Sequence, residues 1–112
     1  MPDADQTSPR QAKDNLQQNI HPIALTLETI DKPVICALNG VAAGAGLDMA
    51  LHCDIRYAAA SARFAETYTR VGLVPGNGAA WFLPRIVGVQ RALEMLWTAR
   101  FVHAEEAKEI GL

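Results

Sequence analysis

Asp48 follows a run of small residues, Ala42-Ala43-Gly44-Ala45-Gly46, and sits in a compact apolar pattern of Leu47, Met49, Ala50 and Leu51. A helix that starts among Gly and Ala has unpaired N–H groups and a partial positive charge at its first turn. Small side chains leave those groups open to an incoming atom. Such a loop suits an anion or a developing oxyanion, and Asp48 lies within reach of whatever the loop holds. The same spacing serves structure as well: small residues permit close packing, and Asp48 favours the helix dipole. From spacing alone the structural reading is the stronger, because Gly-rich turns before helices are common. His21, His52 and His103 show no metal-ligand spacing. Cys36 and Cys53 lie in apolar segments and read as buried thiols rather than a disulfide or metal pair.

The elements that position Asp48 follow from pattern. Pro33-Val34-Ile35-Cys36-Ala37-Leu38 is uncharged and β-branched at two positions, and reads as a buried strand. Asn39-Gly40 then marks a turn, since both residue types tolerate positive φ. The small residues form a loop, and the helix runs to His52-Cys53. Upstream, residues 1–8 read as a disordered leader. Ser8, Pro9 and Gln11 form a capping-box-like helix start. Leu16, Ile20, Ile23, Ala24, Leu27 and Ile30 make one apolar helical face, which Pro22 interrupts with a kink or a second helix near His21. Downstream, the pattern predicts a strand over 54–59, a turn at 60–62 and an extended piece over 63–65. A loop over 74–78 leads to a helix over 79–86 that breaks at Pro84. Helices over 90–99 and from 103 or 104 follow, the last capped by Gly111.

The chain has 112 residues, enough for one small domain, and half of them are apolar. The net charge of −2, from 10 basic and 12 acidic residues, gives no electrostatic reason to expect nucleic acid or an anionic membrane as partner. No apolar run approaches the ~20 residues of a membrane span. The polar, acidic N-terminus lacks a signal-peptide core, so a cytoplasmic location is expected.

The stretch Lys32 to Ala58, K-P-V-I-C-A-L-N-G-V-A-A-G-A-G-L-D-M-A-L-H-C-D-I-R-Y-A, resembles the signature of the enoyl-CoA hydratase/isomerase (crotonase) superfamily. The likeness continues through Ala62-Arg63-Phe64, Val71 to Gly78, Leu83 to Gly88 and Ala104 to Leu112. It implies an α/β fold: part of a crotonase-type (ClpP/crotonase) spiral of β-β-α units with outer helices. Family domains are considerably longer. Residues 9–112 are therefore expected to form an incomplete domain, lacking the family's N-terminal strands and C-terminal helices.

The resemblance also implies chemistry. Family reactions turn a thioester carbonyl into an enolate-like oxyanion held by two backbone N–H donors, one of which is often worth about 3–4 kcal/mol. By motif position the donor here is the N–H of Ala45, flanked by Gly44 and Gly46; Ala replaces the usual Gly, and its methyl tightens the pocket if the backbone needs unusual φ. The partner donor belongs to the missing N-terminal part. The first acid of the pattern falls on Asp48, a general acid/base. The second falls on Tyr68, whose phenol is a poor base at neutral pH. Glu66 shares a face with Tyr68 in an extended segment and is a weaker candidate, more simply a solvated side chain. A third acidic position of other members falls on Gly76, which removes support for reactions that use it. Pro75 and Gly76, with Gly44 and Gly46, fall at substrate-binding positions.

The implied activity is enoyl-CoA hydration of an acyl-CoA. The alternatives are an enoyl- or dienoyl-CoA isomerase using Asp48 as proton carrier, and a truncated, inactive member. Coenzyme A enters as part of the substrate, with no separate cofactor, and the full-length relative is expected to be a trimer-based homo-oligomer. Trp81 and Trp97 read as core aromatics. Arg85 and Arg100 suit surface or capping roles better than a CoA phosphate. Glu105 to Glu109 reads as a solvated helix face.

Overall fold

The computed structural model describes residues 8–112. The leader expected over residues 1–8 falls, apart from Ser8, outside the described residues. Ser8 caps α1 (Pro9–Asn15): its Oγ accepts from the Gln11 N–H and the Gln11 side chain accepts from the Ser8 N–H, the expected capping box. A wider π-helical stretch, Leu16–Ile20, carries the chain into α2 (His21–Thr29), with Pro22 in its first turn. The interruption near His21 is thus taken up where a proline's missing N–H costs least. Of the apolar face only Ala24 is buried, while Leu16, Ile23 and Ile30 stay exposed. No layer covers that face among the described residues.

Two β-β-α passes follow. β1 (Ile35–Leu38) and β2 (Val41–Ala43) lead into α3 (Ala45–Leu51). β3 (Ile55–Ala58) and β4 (Arg63–Ala65) lead through a short 3₁₀ turn, Thr67–Val71, and a loop to α4 (Ala79–Val87). The second pass stacks on the first. β1 pairs parallel with β3, Ile35 opposite Ile55, and β2 pairs parallel with β4, Val41 opposite Arg63. Each pass therefore places one strand in each of two small sheets, which is the expected spiral. β5 (Val102–His103), between α5 (Val89–Thr98) and α6 (Ala104–Ile110), adds antiparallel to β4.

Four expectations about these elements are corrected. Val41–Ala43 is a strand rather than loop; three residues with two alanines carry no strand signal of their own, and the pairing partner lies over twenty residues away. The Asn39-Gly40 bend uses no positive φ; the left-handed backbone falls at Gly44 instead. β1 is not fully buried, since Ile35 is 59% exposed. Pro84 does not break α4, which continues to Val87. There Arg85 Nη1 donates to the carbonyl of Trp81 at 2.8 Å, supplying a donor in the turn that the proline ring distorts.

The core joins both sheets and the helices over them. Leu47 and Leu51 of α3, Phe64 of β4, Leu83 and Val87 of α4, Met95 of α5 and Val102 of β5 form one buried cluster. Trp81 and Trp97 lie outside it, 59% and 72% exposed, and correct the expectation of core aromatics. Arg85 stacks 3.2 Å over the Trp81 ring. Arg100 pairs with Glu94 and, through both guanidinium nitrogens, with Glu106 at 2.7 and 2.8 Å. Arg100 holds the Glu106 carboxyl below its usual range. The acidic face of α6 is thus solvated, with Glu106 paired to Arg100. Cys36 and Cys53 are free and half-buried. Burial and the neighbouring Cys36 push the Cys53 thiol up.

Candidate active site

Gly44 sets the direction of α3. Its backbone is at φ 56° and ψ −123°, a conformation open to glycine and strained for other residues. Its N–H donates to the Ala65 carbonyl at 2.9 Å, and its own carbonyl accepts from Asp48 N–H at 3.0 Å. That second bond is the first of the helix. The N–H groups of Ala45, Gly46 and Leu47 precede it and have no acceptor within the helix. Ala45 and Gly46 are exposed, and Ala45 has ordinary negative φ. The unusual φ therefore falls one residue earlier than the donor, and the methyl of Ala45 imposes no backbone strain. A Cβ at Gly44 would stand 3.2 Å from Thr67 Oγ1, whereas Gly46 and Gly76 have open space.

Asp48 sits on the same first turn with no exposed surface. Tyr68 Oη donates to its Oδ2. Glu66 was expected to be solvated. It is fully buried, with its carboxyl against that of Asp48. Apart from one another, the Glu66 carboxyl and Asp48 Oδ1 find no protein partner. Two carboxylates cannot bond without a proton between them, so the pair shares one. Burial first, then the Asp48 carboxyl, pushes Glu66 up to about 9. Burial also raises Asp48, although its contacts with Glu66, Tyr68 and His52 favour the ionised form. Glu66 therefore holds the proton at neutral pH, and Asp48 is the more acidic partner. Burial and the Asp48 charge keep the Tyr68 hydroxyl protonated far above its usual range.

Glu66 and Tyr68 do reach one point, as i and i+2 geometry suggested, but by a different route. Glu66 ends the extended segment and Tyr68 lies on the 3₁₀ turn that follows. The loop with Pro75 and Gly76 closes in from the next connection. Its Asn77, at φ 51°, brings its side chain to Tyr68 and its carbonyl to His52 Nε2 at 2.6 Å. His52 Nδ1 faces Glu28 Oε1 at 2.7 Å, and its ring tilts against Phe82 with centroids 4.6 Å apart. His52 and Asn77 escaped the sequence reading. The i, i+4 spacing of Asp48 and His52 on one helix face was the available signal.

A concavity of about 670 Å³ lies away from the Asp48, Glu66 and Tyr68 side chains. Its lining is largely apolar, with Leu38, Leu47, Phe64 and Leu112, and also includes Arg56, Glu105 and Lys108. Among the described residues no cluster of His, Cys, Asp and Glu is arranged to hold a metal, and no helix is long and apolar enough to cross a membrane.

This arrangement has relatives. The family described as Enoyl-CoA hydratase/isomerase matches residues 3–112. The 1,2-epoxyphenylacetyl-CoA isomerase of Escherichia coli is 42% identical over 98 residues, which are 88% of this chain and 37% of that protein. The crotonyl-CoA hydratase of Syntrophomonas wolfei is 44% identical over 86 residues, 77% of this chain and 33% of that one. Among solved structures, an enoyl-CoA hydratase/isomerase from Cupriavidus metallidurans superposes with a TM-score of 0.87 at 38% identity, over 93% of this chain and 39% of that chain. The chain thus spans well under half the length of these relatives. With the spiral of β-β-α passes, the free N–H groups of α3 and the matched motifs in place, the chain belongs to the enoyl-CoA hydratase/isomerase family and carries part of the crotonase fold.

Proposed function

We propose that the protein acts on an acyl-CoA thioester by stabilising an enolate-like oxyanion and moving a proton at the acyl chain. The observation that carries this reading is the placement of the Ala45 N–H, on an exposed residue and without a helical acceptor, and the Asp48 carboxyl on one turn of α3. Negative charge developing on a thioester oxygen is met by a fixed dipole, while the proton travels to or from a carboxyl on the same turn. Ala45 is the oxyanion donor, Asp48 the proton carrier, and Gly44, Gly46, Pro75 and Gly76 border the thioester. Hydration of an enoyl-CoA is the first reading, supported by the hydratases among its relatives. Isomerisation is the second, favoured by a phenol rather than a carboxylate at the second acid position. A trimer-based assembly and a cytoplasmic location belong to the same reading, the latter supported by two thiols that stay free. Coenzyme A is required only as part of the substrate.

The test is turnover of crotonyl-CoA and of a longer enoyl-CoA, followed for water addition and for double-bond migration. Asp48→Asn is expected to lower either activity at least about 100-fold. Equal activity of the variant and the unaltered chain would remove Asp48 from the chemistry. No turnover by the folded chain with either substrate would leave the inactive member as the correct reading.

A further inference from the structure

Asp48 is well placed in sequence and poorly placed for direct contact. It has no exposed surface, and the Tyr68 hydroxyl occupies one of its oxygens. Glu66 lies against it and is equally enclosed. Tyr68 alone among the three is partly exposed. Of the three, Tyr68 is therefore the side chain left open to a substrate held at Ala45.

We propose that Tyr68 is a catalytic residue of this site, whose hydroxyl relays the proton between the acyl chain and the buried Asp48–Glu66 pair. The inference rests on the acyl-CoA reading above. A phenol alone is a poor base, since its pKa lies near 10. A phenol that already donates to a carboxylate is different. Its proton leaves for Asp48 Oδ2 as the substrate proton arrives on Oη, and no phenolate forms. In the forward step a C–H bond of the acyl chain breaks and its proton bonds to Tyr68 Oη. The Tyr68 O–H bond breaks as the new O–H bond forms on Asp48 Oδ2. The electron pair of the C–H bond moves into the thioester, and its negative charge comes to rest on the oxygen held by Ala45 N–H. The net change is one proton and one charge exchanged between Asp48 and the substrate. The reverse step, at the same or another carbon, returns the proton.

Three observations fit this role beyond the hydrogen bond itself. The strong preference of Tyr68 for its protonated form suits a relay and excludes a standing phenolate base. Asn77 reaches Tyr68 from the far loop, and with its own Oδ1 buried and unpaired its amide nitrogen is the group that faces Tyr68. Glu66, holding a proton, hydrogen-bonds the Asp48 carboxylate and steadies its charge without touching the substrate; it is a positioning residue.

The experiment follows uptake of solvent deuterium into the acyl chain of crotonyl-CoA, with thioester affinity measured separately by calorimetry. Tyr68→Phe is expected to lower the exchange rate at least about 100-fold while affinity stays within about twofold. Exchange by Tyr68→Phe at the unaltered rate would overturn the relay and leave the acyl-CoA reading intact. A chain that neither binds nor exchanges overturns that reading, and the relay with it. If Tyr68→Phe does not fold, 3-fluorotyrosine in a Tyr57→Phe background gives the second arm. A rate that responds to the more acidic hydroxyl supports the relay, and an indifferent rate overturns it.

Discussion

The N–H of Gly44 donates to the carbonyl of Ala65 across 2.9 Å. This bond joins the start of α3 to the end of β4. It therefore fixes the helix bearing Ala45 and Asp48 against the segment bearing Glu66 and Tyr68. Two groups separated by about twenty residues in sequence meet because a parallel β2–β4 pair delivers both chains to the same end of one small sheet.

Gly44→Ala should break that junction. The left-handed φ costs a side chain about 1–2 kcal/mol, and the added methyl presses on Thr67 Oγ1. Urea unfolding is expected to show that loss. A variant as stable as the unaltered chain would mean the junction relaxes freely.

The buried carboxyl pair predicts a pH dependence of stability. Glu66 is near 4.5 when unfolded and near 9 when folded. Between those values the folded chain keeps a proton that the unfolded chain releases. Stability from this source is therefore complete at or below pH 4.5 and declines as pH rises through about 9. The raised Asp48 acts in the same direction. Melting temperature should fall from pH 5 to pH 9, and Glu66→Gln should flatten the slope and melt higher than the unaltered chain at pH 9. An unchanged slope in Glu66→Gln would place the titration elsewhere.

His52 links α2, α3 and the Asn77 loop through Glu28 and the Asn77 carbonyl. His52→Ala removes both bonds and the contact with Phe82. The expected loss is about 1–3 kcal/mol. Hydrogen exchange should rise first in the loop over 74–78, and uniform exchange across the chain would argue against a local tie.

Arg100 shows the opposite case. Its pairs with Glu94 and Glu106 have short, well-aligned contacts, yet all three side chains are substantially exposed. Arg100→Ala should cost less than about 1 kcal/mol in denaturant unfolding. A larger loss would mean that the bridge between α5 and α6 is held by this side chain rather than by Met95 and Val102.

Local signals in the sequence were read correctly where local physics decides the outcome. Ser8 and Gln11 cap α1 because capping needs only neighbours, and Gly111 ends α6 in left-handed backbone for the same reason. Asp48 lies on the first turn of α3, where the adjacent small residues put a helix start. Glu66 was misjudged because its burial depends on Asp48, on a separate element. β2 was missed because its strand exists only through β4. Trp81 and Trp97 read as core aromatics in the sequence, whereas the helix faces that carry them are uncovered among the described residues.

The central claim is that the Ala45 turn holds a thioester oxygen bearing negative charge. Calorimetric titration with acetoacetyl-CoA, whose enolate mimics the charged intermediate, tests it most directly against coenzyme A alone on a monodisperse sample. The account predicts saturable binding of acetoacetyl-CoA, clearly tighter than that of coenzyme A. Equal affinities, or no saturable heat from a folded sample, would contradict it.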